Sequence, residues 1–283
     1  MKKEKIKSEL KYILKLSRPR FWLYLAGPAI LGLVLGAENI SQLYTVENVL
    51  LFLYFLIPAN IMLYGVNDYF DRDVDEDNPK KEDKEEKYRD NKFTDLMIGF
   101  STALIIPVAL TLSVEALPLI LAFLFLSVFY SAPPLRFKTR PFMDSLSNGL
   151  YILPLAITFT AVTQTFPPLT ILAAGWLWTM AMHTYSAIPD IEPDRKAGIQ
   201  TTATFLGRRK TYLYCTIVWT LSAFVAGLYN IFAGALIGFY ALLSVIFYVS
   251  DLSDSEAYWY YPYINAFVGM ILTIMALWVL IHG

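Results

Sequence analysis

The run Asn67-Asp68-Tyr69-Phe70-Asp71-Arg72-Asp73-Val74-Asp75 marks the point at which a long apolar segment gives way to a charged one. Oxygen-bearing side chains recur at every fourth position of this run, at Asn67, Asp71 and Asp75. A spacing of four residues stacks side chains on one face of an α-helix. The run therefore predicts a helix whose end presents amide and carboxylate oxygens in one direction.

A second acidic motif, Asp190-Ile191-Glu192-Pro193-Asp194-Arg195, follows a later apolar segment. Pairing Asp71 with Asp194 also pairs Asn67 with Asp190, so the spacing of four is repeated. An ordinary acidic loop does not explain this repetition, which indicates an internal duplication of a helical unit. Carboxylate and amide oxygens, in a chain with one cysteine and two histidines, suit a hard cation such as Mg²⁺, which can hold a diphosphate.

Polar side chains continue the face of each motif back into its own helix. Asn60 and Tyr64 precede Asn67 at helical spacing, and His183 precedes Asp190 by seven residues. Both faces are expected to line one cavity inside a bundle. His183 could take a proton from an intermediate or polarise a water molecule. The alternative is a buried structural histidine that is hydrogen-bonded across helices.

The composition predicts a membrane protein. Of the 283 residues, 56% are hydrophobic and 17% are charged, and the mean hydropathy is +0.47. Soluble domains carry about 25% charged residues. These values exclude a disordered chain and a small disulfide-stapled module, and they argue against a water-soluble enzyme. Cys215 lies in an apolar run and is expected to be a core or lipid-facing thiol.

The 23 Lys and Arg residues fall into four clusters, and the apolar stretches between them divide into segments near the ~20 residues that a bilayer requires. The predicted transmembrane helices are 21–37, 48–66, 94–114, 116–130, 143–164, 168–188, 210–229, 231–250 and 260–281. With the N-terminus in the cytoplasm, every basic cluster lies on the cytoplasmic side. We therefore expect an all-α, polytopic, nine-helix bundle with a central cavity.

This arrangement predicts a single domain over residues 1–283, in which 1–17 form a basic cytoplasmic segment. The protein is expected to be a multi-pass protein of the cell membrane, in contact with membrane lipid and without a nucleic-acid partner. Both acidic motifs would lie at cytoplasmic helix ends, because a charge at the bilayer centre is costly. The chemistry is therefore expected at that side of the membrane.

A third segment, Tyr130-Ser131-Ala132-Pro133-Pro134-Leu135-Arg136-Phe137-Lys138, supplies positive charge on the same side. Its two prolines are expected to end a helix and to extend the following turn. Arg136 and Lys138 would stabilise the negative charge on a departing diphosphate. Anchoring of the chain at the cytoplasmic surface is the alternative explanation for either residue.

Taken together, the three segments resemble the UbiA superfamily of intramembrane prenyltransferases, and the resemblance covers about residues 18 to 281. It implies a Mg²⁺-dependent enzyme that binds the diphosphate of an allylic prenyl donor and a lipophilic acceptor from the bilayer. The metal and diphosphate ligands it implies are Asn67, Asp71, Asp75, Asp190 and Asp194. The catalytic candidates are Asp68, Lys138 and His183, and the candidates for substrate binding are Asn60, Tyr64, Arg136, Lys138 and Tyr185.

Within the superfamily, residues 67–81 and 185–198 look most like the lycopene elongase branch, which extends C40 carotenoids towards C50. Quinone-type members usually carry an Arg-Pro pair after the first motif, and this chain has Asn78-Pro79-Lys80-Lys81 instead. The expected reaction is transfer of a dimethylallyl group to lycopene or a related carotenoid, followed by proton loss or hydration. Donor length and oligomeric state stay open.

Two alternatives stay open as well. The same chemistry could act on an aromatic quinone precursor or on a glycerophosphate lipid. A transporter of a phosphorylated solute would also carry acidic clusters on a helical bundle. However, carriers place their binding sites near the bilayer centre, whereas both motifs here lie at helix ends.

Overall fold

A computed structural model describes residues 2–72 and 88–283 of the chain, and these ranges contain helices and no β-strand. The α-helices, in chain order, are α1 (Lys2–Leu16), α2 (Leu23–Gly36), α3 (Val46–Leu56), α4 (Pro58–Asp71), α5 (Lys92–Ala103), α6 (Ile105–Ala109), α7 (Leu117–Phe129), α8 (Met143–Leu146), α9 (Leu153–Thr163), α10 (Leu169–Ser186), α11 (Ile191–Lys196), α12 (Thr202–Leu206), α13 (Arg208–Tyr229), α14 (Ile231–Val249) and α15 (Asp254–His282). Short 3₁₀ helices occupy Pro19–Phe21, Ile40–Tyr44, Val114–Ala116, Phe137–Thr139, Ser147–Ile152 and Ile188–Asp190.

Seven helical stretches in the described part of the chain are long and apolar enough to cross a bilayer. They are Pro19–Gly36, Val46–Asp71, Lys92–Ala109, Met143–Thr163, Arg208–Tyr229, Ile231–Val249 and Asp254–His282. The predicted segment 116–130 is helical but shorter, as part of Val114–Phe129. The predicted segment 168–188 contains α10, which has the length but a more polar composition, with Thr179 and His183 among its residues. An all-helical bundle of apolar helices is thus confirmed.

The basic segment at residues 1–17 forms an amphipathic helix, α1. Lys11 and Lys15 are exposed, whereas Tyr12, Ile13 and Leu16 are buried and pack with other apolar side chains. Buried positions spaced one, three and four residues apart lie on one helix face. Packing of this face holds α1 against α4 and α5 at one end of the bundle.

The stretch Val46–Asp71 is broken at Pro58, which separates α3 from α4. Proline has no N–H group, and its ring disturbs the preceding helical turn. The fully buried Asn60 donates through Nδ2 to the carbonyl oxygens of Phe55 and Leu56, at 3.0 Å each. Asn60 is thus absent from the cavity lining, because its amide nitrogen donates to backbone oxygens freed by the break.

Two packed cores flank the centre of the bundle. The first includes Leu25, Phe55 and Phe123, and the second is rich in aromatic rings such as Tyr185 and Trp219. Helix α2 packs closely on α9, since a Cβ atom on Gly32 would lie 2.2 Å from the Leu155 carbonyl oxygen. Such close packing is typical of small residues between membrane helices. A cavity lies between the two cores.

Candidate active site

The cavity has a volume of about 1380 Å³ and lies along the interior of the bundle. Most of its walls are aliphatic or aromatic. One end, here termed the polar end, is lined by Arg18, Asn67, Tyr130, Lys138 and His183. The opposite end reaches Glu38, Asn230 and Gly283. The arrangement places charged and hydrogen-bonding groups at the mouth of a mainly apolar chamber.

Lys138 joins the basic segment to the first acidic motif. Its Nζ atom donates to Asn67 Oδ1 at 3.3 Å and forms a short ion pair with the Asp71 carboxylate. Arg136 Nη2 lies 3.4 Å from Asp71 Oδ1, and Ser131 Oγ donates to Asn67 Oδ1 at 2.6 Å. The structure thus brings together the two oxygen ligands at the end of α4 and the two predicted diphosphate-binding cations.

The turn between α7 and α8 explains how these cations reach the motif. The Lys138 N–H donates to the Tyr130 carbonyl oxygen at 3.0 Å, and the Arg136 N–H donates to the Ala132 oxygen at 2.9 Å. Arg136 adopts a left-handed backbone conformation with φ of 40°. A non-glycine residue in this region costs free energy and persists only where its surroundings hold it, as at ligand-binding sites. This turn directs both side chains towards Asp71.

Asp68, a predicted catalytic residue, is buried and contacts Arg18. Its carboxylate, 1% exposed as a residue, accepts a hydrogen bond from Arg18 Nη2 at 2.9 Å. The Arg18 guanidinium also lies over the Tyr64 ring, 4.7 Å from its centroid. Arg18 lines the cavity, whereas Asp68 contacts Arg18 from outside the lining. Sequence reasoning assigned Arg18 to topology because it belongs to the N-terminal basic cluster.

The second acidic motif begins one turn beyond the cavity lining of α10, which ends at Ser186. Asp190 ends the 3₁₀ helix Ile188–Asp190, Asp194 lies in α11, and both are half-buried. Glu192, between them, is exposed and pairs with Arg195 at 3.0 Å. The motif thus has two half-buried carboxylates and one exposed carboxylate.

Within residues 2–72 and 88–283, no three acidic, histidine or cysteine side chains lie close enough together to hold a metal ion. The contacts of these residues therefore do not join the two motifs into one cluster. Asp75, a further predicted ligand, lies outside the described residues. The predicted donors among the described residues are Asn67 and Asp71 at one helix end and Asp190 and Asp194 at another.

His183 lies at the cavity wall between a phenol and a carboxylate. Its Nε2 atom is 3.3 Å from the Tyr130 hydroxyl and 4.0 Å from Asp144 Oδ2. The fully buried Asp144 also accepts from the Thr202 N–H at 2.8 Å. Sequence reasoning missed Asp144, although a carboxylate inside the predicted helix 143–164 was a usable signal. The arrangement allows His183 to accept a proton at Nε2.

The two tyrosines predicted to line the cavity differ in position. Tyr64 lines it, whereas Tyr185 is fully buried in the second core, with its ring 4.5 Å from that of Tyr261. Tyr185 follows His183 by two residues, a rotation of about 200° around an α-helix, so the two face opposite sides. The prediction for Tyr185 is therefore wrong. Tyr24 and Tyr151, which sequence reasoning missed, line the cavity instead.

Comparisons with known proteins agree with this geometry. Residues 25–265 match the UbiA prenyltransferase family. The chain is 50% identical, over 96% of its length and 99% of the relative's, to a Halobacterium salinarum protein named lycopene elongase/hydratase. A Corynebacterium glutamicum protein of the same name is 31% identical, with 94% of this chain and 96% of that protein covered.

The fold is shared with a solved structure of a UbiA homolog from Archaeoglobus fulgidus bound to GPP and Mg²⁺. The TM-score is 0.72 at 21% identity, covering 94% of this chain and 99% of that one. The resemblance seen in the three sequence segments is confirmed by the family match and by these relatives. The chain belongs to the UbiA prenyltransferase family.

Proposed function

We propose that this prenyltransferase moves an allylic group, dimethylallyl, from its diphosphate to lycopene or a related carotenoid. The observation that carries the proposal is the contact of Lys138 with Asn67 and Asp71 at the mouth of the long apolar cavity. Identity of 50% to lycopene elongase/hydratase over nearly the whole chain supports the carotenoid acceptor. Membership of a prenyltransferase family argues against the transporter.

We infer that the chain forms one domain over residues 1–283 and crosses the cell membrane nine times, with its N-terminus and both motifs on the cytoplasmic side. The seven apolar stretches support this topology when Val114–Phe129 and α10 are added to them. The position of Lys138 at the polar end supports its cytoplasmic orientation, because positive charge is retained on that side.

The proposed metal ligands are Asn67, Asp71, Asp75, Asp190 and Asp194. The described donors fit a hard cation, because they are amide and carboxylate oxygens, and two of them already contact the ammonium group of Lys138. When bound, Mg²⁺ would neutralise the diphosphate oxygens and favour diphosphate as a leaving group. Lys138 and Arg136 would bind the same oxygens and hold the diphosphate at the polar end.

The coupling step breaks the bond between the donor's allylic carbon and diphosphate oxygen, and it forms a carbon–carbon bond to the terminal double bond of the acceptor. Lys138 and Arg136 stabilise the charge that develops on the departing oxygens. The rings of Tyr64, Tyr24 and Tyr151 line the cavity. They would stabilise the cationic carbon, and the apolar walls would exclude bulk water.

The coupled acceptor then carries a tertiary cation, which can end in two ways. A neighbouring carbon loses a proton to His183 Nε2, or a water molecule adds and passes its proton to the same atom. In either case, Asp144, whose Oδ2 atom lies 4.0 Å from Nε2, stabilises the positive charge that the imidazole ring gains, and the Tyr130 hydroxyl must release its 3.3 Å contact with Nε2. His183 therefore acts as the proton acceptor.

The test supplies labelled dimethylallyl diphosphate and Mg²⁺ to membranes that contain the protein, with lycopene, 4-hydroxybenzoate or a glycerophosphate lipid as acceptor. We expect label in an elongated carotenoid and none in the two other products. Product with only the aromatic acid or the lipid would overturn the carotenoid acceptor. Diphosphate release that survives both Asp71→Ala and Asp194→Ala would overturn the metal assignment.

A further inference from the structure

The cavity extends far beyond the space that a short donor needs. Its lining on α2 runs from Leu23 to Leu35, which at 1.5 Å per residue is about 18 Å of helix. Its lining on α15 runs from Tyr258 to Leu280, or about 33 Å. A donor with its diphosphate at Lys138 occupies only the polar end. The rest of the chamber is therefore available to a long apolar molecule.

A hydrogen-bonded group holds α2 and α15 together just below the polar end. Asn265 Nδ2 donates to the Tyr24 hydroxyl at 3.1 Å, and the Tyr240 hydroxyl donates to Asn265 Oδ1 at 2.8 Å. All three side chains line the cavity. Both helices run from the polar end to the opposite end. This contact therefore fixes the position of one helix along the axis of the other.

Two glycines follow the residues of this contact, further from the polar end. Gly27 follows Tyr24 by three residues and Gly269 follows Asn265 by four, so each lies about one turn further into the bundle on the same helix face. Both line the cavity. A molecule that extends from the polar end into the apolar part of the chamber therefore passes both positions.

The space beside the two glycines is open. A Cβ atom built on Gly27 or Gly269 meets no heavy atom of the described residues within 4 Å. Gly32 differs, since its Cβ would lie 2.2 Å from the Leu155 carbonyl oxygen. Helix packing explains the absence of a side chain at Gly32. At Gly27 and Gly269, the absence of a side chain widens the cavity.

We propose that Gly27 and Gly269 determine which acceptors the enzyme accepts, because they keep a passage open through which a long acyclic polyene extends beyond the polar end. This inference rests on the proposed function, in which the acceptor is a carotenoid. The two residues take no part in bond formation. They determine how long an acceptor the cavity can hold. The donor site at Lys138 lies on the other side of the Tyr24–Asn265 contact.

The experiment compares lycopene with a shorter acyclic polyene that has the same end group, in Gly27→Leu and Gly269→Leu proteins. One or a few methylene groups in an apolar pocket change specificity by about 10- to 200-fold. We expect the ratio of kcat/KM for lycopene to that for the short polyene to fall about tenfold or more. Binding of dimethylallyl diphosphate should stay within about twofold of wild type.

Gly99→Leu is the matched control, because Gly99 is exposed on α5 and a Cβ atom there also meets no described heavy atom within 4 Å. Its ratio should equal that of wild type. If a leucine variant fails to fold, Gly27→Ala and Gly269→Ala take its place. They should lower the same ratio of kcat/KM by a smaller factor.

An unchanged ratio in the folded variants, or an equal loss for both acceptors, would overturn the role of the glycines. A wild-type protein that elongates neither polyene would instead defeat the proposed function. The two failures are therefore distinguishable.

Discussion

Arg18 Nη2 lies 2.9 Å from Asp68 Oδ1, in an ion pair whose side chains are 17% and 2% exposed. The pair links the segment before α2 to the last turns of α4 beside the polar end, which Arg18 lines. Breaking a buried pair from one side leaves the other charge uncompensated. Its loss should therefore affect both folding and the site.

Asp68→Ala and Arg18→Ala are each expected to lower the free energy of unfolding by about 3 kcal/mol. Denaturation in detergent solution measures the change, and the double variant completes a thermodynamic cycle. A double variant about as stable as either single one would show the coupling. Strictly additive losses would contradict it.

Lys138→Ala should reduce kcat/KM for the prenyl donor by about 10²- to 10³-fold, because a charge that stabilises the leaving diphosphate is lost. Arg136→Ala should act in the same direction with a smaller effect, since its side chain is 40% exposed. Initial rates of diphosphate release at several donor concentrations measure both.

Arg140→Ala is the control for these two variants. The Arg140 guanidinium donates to the Pro134 carbonyl oxygen at 3.0 Å and is exposed, so its removal should change donor kinetics by less than about threefold. Equal losses in Arg140→Ala and Lys138→Ala would show that general positive charge, rather than contact with Asp71, is responsible.

Removal of divalent metal with a chelator should abolish diphosphate release, and added Mg²⁺ should restore it. Asp71→Ala and Asp194→Ala should not be rescued by Mg²⁺. Glu192→Ala provides the matched control, because Glu192 is exposed and pairs with Arg195 in the same short helix as Asp194. A similar loss in Glu192→Ala would contradict a metal-binding role that distinguishes the half-buried Asp194 from the exposed Glu192.

His183→Gln is expected to slow formation of the finished product by about 10²-fold, because the proton acceptor is lost, while the donor still binds at Lys138. Mass spectrometry quantifies the hydroxylated and the unsaturated products, and both should form more slowly, because His183 takes the proton on either route. Asp144→Asn should slow both products by a smaller factor. Formation of both products at the wild-type rate in folded His183→Gln protein would contradict the role of His183 as proton acceptor.

Asn60→Ala should lower the free energy of unfolding by about 1–3 kcal/mol, because the Phe55 and Leu56 carbonyl oxygens lose their buried donor. Activity per folded molecule should be unchanged, in contrast to the expectation for a substrate-binding residue. Thermal denaturation and donor KM separate the two cases, and a raised KM at normal stability would restore the original assignment.

Periodicity and charge predict most of the helices and the first motif, because helical spacing is a local property. The contact of Lys138 with Asp71 follows from the order of the segments and their shared side of the bundle. The pairing of Arg18 with Asp68 does not follow from the sequence, because the two residues are 50 positions apart. Membrane topology already explained the basic cluster that contains Arg18.

The positions of Asn60 and Tyr185 outside the cavity lining have physical causes of their own. The Pro58 break creates backbone acceptors that draw the Asn60 amide away from the cavity. Tyr185 lies near His183 in the chain but on the other side of α10, where rings such as Tyr212 and Tyr261 enclose it. Sequence distance to a motif is thus a poor guide to cavity lining when the helix face is ignored.

The chamber that runs from Lys138 to Glu38 has a kinetic consequence for an acceptor with two identical ends. Under the proposed function, such a molecule presents one end to the donor while its other end points towards the far side of the membrane. It must dissociate and turn over in the bilayer before the second end can react. Elongation is then distributive, and singly extended carotenoid should accumulate before the doubly extended product appears.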